Sequence, residues 1–191
     1  MDDPLQLLAG WLDEARASGA AAPAAMTLAT AGDDGRPSAR VVSLKRLEPD
    51  ALVFTTGLWT RKAEELRANP QVAAVFHWPE LGRQARIEGH AEVAERALAE
   101  ELFAARPRNH RLQTLVSRQG EAIEDLAPLR ARLEALRAET DEEPIPCPED
   151  WGAVRLAPDA IELWNEGADR LHERLAYRRG ADGWACSRLA P

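Results

Sequence analysis

The sequence predicts an α+β fold, an antiparallel β-barrel with peripheral helices. Six or more short segments alternate apolar and polar residues with a period of two, as half-buried strands do. Turn-forming residues separate several of these segments, which is typical of strands joined by hairpins. Stretches with helical spacing lie between the strands as insertions, and this combination favours a barrel decorated by helices.

The first 25 residues are predicted to form a helix and a linker. Asp3 is a typical N-cap, Pro4 a typical first helical residue, and Gly19 a typical helix end. The predicted helix occupies 1–19, and its apolar stripe consists of Leu7, Leu8, Trp11, Leu12 and Ala15. Residues 20–25 are rich in alanine and proline and are predicted to be a linker within a single domain that spans 1–191.

The remaining elements follow from changes of period along the chain. The first half is predicted to contain strands at 26–30, 38–47, 52–56, 72–78 and 84–93, with a helix at 61–68 that Asn69-Pro70 ends. Helical spacing returns at 96–105, near 112–118 and at 127–138. A proline-rich loop precedes the last strands, predicted at 153–156, 160–164, 171–178 and 184–189, with a hairpin turn at 180–183.

Composition excludes several classes of partner. The formal net charge is −8, which argues against nucleic acid or an anionic membrane as the main partner, because both require a broad basic surface. No apolar run approaches the roughly 20 residues that span a bilayer, and the start lacks the basic region of a secretory signal. Cys147 and Cys186 lack metal-type spacing, so they are interpreted as free thiols of a cytoplasmic protein.

A strand carries two charges on opposite faces. In Arg40-Val41-Val42-Ser43-Leu44-Lys45 the alternation sends Arg40, Val42 and Leu44 to one face and Val41, Ser43 and Lys45 to the other. Two separate anionic groups would fit that geometry, and solvated charges at the strand ends would fit it equally well. Lys45 and Lys62 are the two lysines among 24 basic residues, which indicates either a need for a compact ammonium at these positions or the chance survival of two lysines.

A second basic pair opens a predicted helix. Thr60 precedes Arg61 and Lys62, and free backbone N–H groups at a helix start already favour an anion. Two cations in the first turn are unfavourable beside the helix dipole, and a bound phosphate would offset that cost. The alternative is a solvated basic turn.

A third basic group lies near the C-terminal end. In the predicted strand Arg170, His172 and Arg174 share one face, where either an anion or solvent would separate their charges, and a structural role for the histidine stays open. Histidine also exchanges protons near neutral pH. The segment Arg106-Pro107-Arg108, with His110 after it, is either a further anion site or a solvated loop. No metal-ligand cluster, glycine-rich phosphate loop or nucleophile elbow occurs.

These motifs together resemble the pyridoxamine/pyridoxine 5′-phosphate oxidase family. The resemblance extends from Asp3 to Pro191 and is most specific at the end of the chain. The matching stretches are Arg40 to Lys45, Thr60-Arg61-Lys62, Arg83-Gln84, Arg106-Pro107-Arg108, Val116-Ser117-Arg118-Gln119, Glu162-Leu163-Trp164, Arg170-Leu171-His172-Glu173-Arg174 and Arg188-Leu189-Ala190-Pro191. It implies an FMN-binding split β-barrel, and a homodimer with FMN at the subunit interface.

The resemblance also implies roles for individual residues. Arg40, Arg61 and Lys62 would hold the FMN phosphate. The rest of the cofactor site would consist of Val41, Val42, Ser43, Leu44, Lys45, Thr55, Thr56, Thr60, Gln84, Gln119, Trp164 and Arg174. The substrate site would consist of Lys45, Arg106, His110, Arg170, Leu171 and His172, with Arg170 and His172 as the catalytic residues.

The implied reaction is the oxidation of pyridoxamine or pyridoxine 5′-phosphate to pyridoxal 5′-phosphate, with molecular oxygen as acceptor and hydrogen peroxide as by-product. Three positions depart from the family: Leu102 replaces a tyrosine, His110 a serine, and Gly120 a small hydroxyl residue. The basic, aromatic N-terminal segment of typical members is also missing. Two alternatives therefore stay open, an oxidase of another planar anion as in phenazine biosynthesis, and a non-catalytic flavin- or pyridoxal-phosphate-binding module.

Overall fold

The computed structural model describes residues 3–139 and 144–191. Within them, the helices are α1 (Pro4–Ala17), α2 (Arg61–Ala68), α3 (Arg96–Ala104), α4 (Arg108–Val116) and α5 (Ala127–Glu139). The strands are β1 (Ala25–Ala31), β2 (Pro37–Leu47), β3 (Leu52–Gly57), β4 (Gln71–Trp78), β5 (Arg83–Val93), β6 (Trp151–Asn165), β7 (Glu173–Gly180) and β8 (Gly183–Arg188). Positions 1 and 2 of the predicted 1–19 helix lie outside the described residues.

The strands form one antiparallel sheet that closes on itself. Their order is β3-β2-β1-β4-β5-β6-β7-β8, and β3 also pairs with β6. Six strands thereby complete a barrel, and β7 and β8 continue the sheet beyond β6. The turn predicted at 180–183 joins these two strands, with Gly180 opposite Gly183. The predicted α+β class, with a barrel and peripheral helices, is confirmed.

The chain divides into two compact units. The first contains Met1–Phe54, Glu65–Glu92 and Arg155–Pro191, and therefore α1 and most of the sheet. The second contains Thr55–Glu64 and Val93–Val154, and therefore α3, α4 and α5. The prediction of a single FMN-binding domain over 1–191 stays a prediction.

Helix α1 begins as the sequence predicts. The Asp3 carboxylate accepts a hydrogen bond from the Leu5 backbone N–H at 2.8 Å, and Pro4 occupies the first turn. Ser18 caps the other end, and Gly19 follows with a φ of 78°. Beyond the predicted stripe, Leu5 is also buried. The rings of Trp11 and Trp78 meet edge to face, with centroids 6.3 Å apart.

Strand β6 corrects the prediction of two strands at 153–156 and 160–164. One continuous strand runs through Pro158, although proline donates no ladder hydrogen bond. Gly89 on β5 lies beside this part of β6. A Cβ atom there would fall far inside the van der Waals radius of the Ala157 carbonyl oxygen, so glycine permits the backbones to approach closely.

The second unit has its own aromatic and aliphatic core. Phe103 on α3 meets Trp151 edge to face, with ring centroids 5.1 Å apart. Leu98, Leu112 and Val116 are buried with them. Across residues 3–139 and 144–191, no helix is long and apolar enough to cross a membrane.

Candidate active site

Strand β2 presents its charges as the alternation predicts. Arg40 and Val42 are half-buried and Leu44 is buried, whereas Val41, Ser43 and Lys45 are exposed. The register with β3 pairs Leu44 with Phe54 and Arg46 with Val53, so Lys45 is one extra residue on β2. This β-bulge redirects the strand at the position predicted to contact both cofactor and substrate, and bulges often occur next to active sites.

Arg40 belongs to a polar network within the first unit. Its Nη1 donates to the Thr30 hydroxyl at 2.5 Å, and its Nη2 lies 3.3 Å from a carboxylate oxygen of Glu65. The same carboxylate accepts hydrogen bonds from Thr30 at 2.5 Å and from Ser38 at 2.7 Å. Glu65 is 8% exposed, so a buried carboxylate fixes the Arg40 guanidinium.

Lys62 lies with two hydroxyl groups at the start of α2, in the second unit. Its Nζ donates to Thr56 Oγ1 at 3.1 Å and to Thr60 Oγ1 at 3.3 Å. The lysine is only 6% exposed, whereas Arg61 is exposed. Thr60 donates its own hydroxyl proton to the Gly57 carbonyl at 2.8 Å. The two hydroxyls hold the ammonium in place, and the ammonium together with the helix start forms a donor set that suits a phosphate group.

A cavity of about 280 Å³ lies entirely within the second unit. Four residues that the sequence predicted for cofactor or substrate line it, namely Thr55, Thr56, Arg106 and Gln119. Its other lining residues are Gly57, Trp59, Gln113, Thr114, Ser117 and Trp151. A Cβ atom on Gly57 would lie 2.6 Å from the Trp59 ring, so glycine is needed for this cavity wall.

Arg106 is the charged residue among those that line this cavity. Its guanidinium carbon lies 5.2 Å from the ring centroid of Trp151 and 5.7 Å from that of Phe103. Its Nη1 donates to Thr114 Oγ1 at 2.6 Å. Burial lowers the pKa of Arg106, and in the described part of the chain no carboxylate forms an ion pair with it. The arginine is therefore a half-buried, partly desolvated cation that lines a cavity.

A carboxylate bridges two arginines on the sheet of the first unit. Glu162 accepts from Arg174 Nε at 2.8 Å and from Arg86 Nη1 at 3.1 Å. The hydrogen bond and charge of Glu162 raise the pKa of Arg174. Arg174 Nη1 also donates to the Ala190 carbonyl at 3.0 Å. A groove of about 300 Å³ runs along these residues.

The predicted row of Arg170, His172 and Arg174 on one strand is wrong. Strand β7 begins at Glu173, so Arg170 and His172 belong to the preceding turn. Arg170 has a φ of 64°, and its N–H donates to the Gly167 carbonyl at 3.1 Å. The Asp169 carboxylate accepts from the Leu171 N–H at 3.0 Å, which fixes the turn further.

His172 packs against Trp164 in the first unit, with ring centroids 4.7 Å apart. The Gly167 N–H donates to His172 Nδ1 at 3.3 Å, which assigns the proton of the neutral ring to Nε2. Two predicted site residues, a cofactor ligand and a catalytic residue, are thus brought into contact. Leu171 beside them is 68% exposed.

The other predicted residues lie at defined places in the fold. Gln84 is on β5, opposite His77 of β4. His110 is exposed on α4 and, like Leu102, does not line the cavity around Arg106. Sequence reasoning gave no role to Glu65, Thr114 or Glu162. Of these three residues, Glu162 alone has a sequence signal, because it belongs to the C-terminal motif Glu162-Leu163-Trp164.

Comparison with protein families decides the assignment. Residues 12–139 match the family model described as pyridoxamine 5′-phosphate oxidase. Residues 151–191 match the model described as the pyridoxine 5′-phosphate oxidase C-terminal dimerisation region. The chain belongs to the pyridoxamine 5′-phosphate oxidase family. The resemblance inferred from the sequence motifs is confirmed.

Relatives within this family match over nearly their full length. The pyridoxine/pyridoxamine 5′-phosphate oxidase of Gluconobacter oxydans is 42% identical over 189 residues, which cover 99% of this chain and 94% of that protein. The protein of the same name from Sphingopyxis alaskensis is 44% identical over 190 residues, covering 100% and 88% respectively.

Solved structures agree on the fold. PhzG from Burkholderia lata, crystallised with tetrahydrophenazine-1-carboxylic acid, superposes with a TM-score of 0.94 at 31% identity, over 100% of this chain and 94% of that one. A pyridoxamine 5′-phosphate oxidase-related, FMN-binding protein from Nostoc punctiforme superposes with a TM-score of 0.80 at 19% identity, over 97% of this chain and 96% of that one. The predicted split barrel is therefore confirmed.

Proposed function

We propose that this member of the pyridoxamine 5′-phosphate oxidase family is an FMN-dependent oxidase. It converts pyridoxamine 5′-phosphate or pyridoxine 5′-phosphate to pyridoxal 5′-phosphate, with oxygen as acceptor and hydrogen peroxide as by-product. The observation that carries the proposal is the cavity around Arg106, a half-buried guanidinium without a carboxylate partner in the described residues. Such a cation is stabilised when an anionic ligand arrives.

The residues at the start of α2 fit the phosphate of FMN. The Lys62 ammonium, which the hydroxyls of Thr56 and Thr60 hold in place, supplies charge and hydrogen-bond donors at a helix N-terminus. We assign the FMN phosphate to Lys62, Arg61 and Arg40. Arg40 already has a carboxylate partner in Glu65, so only its remaining N–H groups are available. When bound, FMN supplies the two-electron redox chemistry that no side chain offers.

The protein's own residues bind and orient the substrate. Arg106 and Lys45 hold its phosphate, and Arg170 and His172 contact the pyridine ring. With its proton on Nε2, the neutral His172 ring donates a hydrogen bond from that atom. The Trp164 ring and the Gly167 N–H keep the imidazole in one orientation. For the amine substrate, loss of two electrons and two protons, formally a hydride and a proton, gives an imine, which water hydrolyses to the aldehyde and ammonia.

A homodimer is part of the proposal. Residues 151–191 match a dimerisation region, and they contain Trp164, Arg170, His172 and Arg174. We propose that FMN lies at the subunit interface.

A cytoplasmic location is supported by Cys147 and Cys186, which are both free thiols.

Aerobic turnover tests the proposed function. The protein is mixed with FMN and pyridoxamine 5′-phosphate in air, and pyridoxal 5′-phosphate absorbance and peroxide are recorded. We expect both products. Arg106→Gln should raise KM roughly 10- to 100-fold, since hydrogen bonds to charged groups contribute about 1.5–3 kcal/mol. The matched control Arg36→Gln, in an exposed turn, should leave KM unchanged. Absence of turnover by the parent protein at millimolar substrate would reject the proposal.

A second candidate is an oxidase of another planar anion. The 31% identity with PhzG and the absence of a phosphate-binding hydroxyl at Leu102 favour it. Retention of Lys45 stands against it, because a substrate without phosphate does not need that charge. Comparing kcat/KM for vitamin B6 phosphates and for aromatic carboxylic acids decides between them. A non-catalytic module, in contrast, would bind FMN without turning over either class.

A further inference from the structure

Arg106 needs an orienting partner in order to act on a ligand. The rings of Trp151 and Phe103 contact the guanidinium through their faces, at 5.2 and 5.7 Å from the ring centroids. Face contacts stabilise a cation but leave its N–H groups undirected, because the attraction depends on charge and distance. A directional hydrogen bond is therefore the contact that can fix where the guanidinium points.

Thr114 supplies that directional bond. Its hydroxyl donates to the His110 carbonyl at 2.9 Å, one turn earlier on α4. A hydroxyl has a single proton, so this bond leaves only acceptor lone pairs for Arg106. Arg106 Nη1 donates to the same oxygen at 2.6 Å. The threonine thus connects the guanidinium to the helix backbone, and it lines the same cavity.

Neither of the two positions where the family usually carries a hydroxyl does so here. Leu102 has no hydrogen-bonding group, His110 is exposed, and neither lines the cavity around Arg106. On this side of the site, recognition of the phosphate therefore depends on Arg106 and on the group that holds it.

We infer that Thr114 is a positioning residue for substrate recognition: its hydroxyl holds the Arg106 guanidinium so that the remaining N–H groups face the phosphate of the substrate. The inference rests on the proposed function. It makes Thr114 a determinant of preference for phosphorylated over unphosphorylated substrates.

The test compares Thr114→Val, which removes the hydroxyl but keeps the shape, with Thr114→Ser, which keeps the hydroxyl. Thr27→Val makes the same change on an exposed position of β1 and serves as the control. KM and kcat are measured with pyridoxamine 5′-phosphate and with unphosphorylated pyridoxamine. Binding of inorganic phosphate is measured by calorimetry, and bound FMN by absorbance.

For Thr114→Val we expect KM for the phosphorylated substrate to rise about tenfold, equivalent to about 1.4 kcal/mol. The kcat value, the bound FMN and the kinetics with pyridoxamine should remain as in the parent, and phosphate should bind more weakly. Thr114→Ser and Thr27→Val should behave like the parent. If Thr114→Val does not fold, as judged by circular dichroism, Thr114→Ala replaces it.

Three results would overturn the inference: an unchanged KM, an equal loss with both substrates, or a Thr114→Ser variant as impaired as Thr114→Val. If the parent protein turns over no vitamin B6 phosphate, the proposed function fails. Phosphate binding then decides the role of Thr114 separately, because weaker binding in Thr114→Val supports it and equal binding excludes it.

Discussion

Glu162 shows how one side chain organises others around a predicted ligand. Each of its two carboxylate oxygens accepts from a different arginine, Arg174 on β7 and Arg86 on β5. The carboxylate is only 13% exposed, so solvent competes little for these bonds. Glu162 therefore fixes the orientation of Arg174, which is predicted to contact FMN.

Replacing Glu162 with glutamine should weaken FMN binding several-fold, because the amide carries no charge and offers a single acceptor oxygen to two arginines. Fluorescence titration of the FMN-free protein measures the dissociation constant. Glu88→Gln is the matched control, since Glu88 pairs with Arg86 but has no bond to Arg174. Equal FMN affinity in the two variants would show that Glu162 does not position Arg174.

At the scale of elements, glycines have opposite roles in the sheet and in α1. Gly89 lies where β5 and β6 come so close that a side chain would collide with the Ala157 carbonyl and the Pro158 backbone. Gly10 lies on the exposed side of α1, and a Cβ atom there would meet nothing within 4 Å. The same substitution should therefore change stability in opposite directions.

Gly89→Ala should lower the free energy of unfolding by more than about 2 kcal/mol, because strands must separate to accept the methyl group. Gly10→Ala should raise it by roughly 0.5–1 kcal/mol, because alanine favours the helix. Urea denaturation monitored by circular dichroism measures both values. A Gly89→Ala protein as stable as the parent would mean that β5 and β6 shift apart easily.

At the scale of the whole molecule, ligand binding depends more on the distribution of charge than on the net charge. The chain carries −8, yet Lys62 is buried among hydroxyls in one unit and Arg40 is fixed by Glu65 in the other. A ligand that brings a phosphate should therefore stabilise the protein more than the same ligand without one, since only the native state holds this donor set.

Thermal unfolding with FMN and with riboflavin tests this expectation. FMN should raise Tm clearly more than riboflavin at equal concentration, and Lys62→Gln should reduce the difference. Light scattering on the FMN-saturated protein should give about twice the 21.0 kDa of one chain. Equal stabilisation by both flavins would contradict phosphate binding at the proposed site. A monomeric mass would contradict the proposed dimer.

The elements were largely predictable because their signals are local. Alternation placed Arg40 and Lys45 on opposite faces of β2, and Asp3-Pro4 marked the start of α1. The bulge at Lys45 and the continuity of β6 through Pro158 depend on the neighbouring strands β3 and β5, which periodicity does not report. Periodicity does not reveal the turn from Gly167 to Arg170, because the period-two pattern continues into it. Gly167 and Asp169 are nevertheless common turn residues.

The sequence predicts individual residues of the site, but it does not predict which of them contact one another. Arg106 and Arg174 stood in recognisable motifs, whereas their partners Thr114 and Glu162 lie 8 and 12 positions away in sequence. Glu65 meets Arg40 from 25 positions away. Folding brings such pairs together, and no spacing rule within one helix or strand describes them.

The scarcity of lysine has a practical consequence for biophysical work. Of the two lysine side chains, Lys62 is 6% exposed and Lys45 stands exposed on the β2 bulge. Amine-reactive dyes, cross-linkers and sensor-chip chemistries that target lysine side chains will therefore react first at Lys45, a residue we assign to ligand binding. Capture of the ligand instead of the protein avoids attaching the molecule by its own recognition surface.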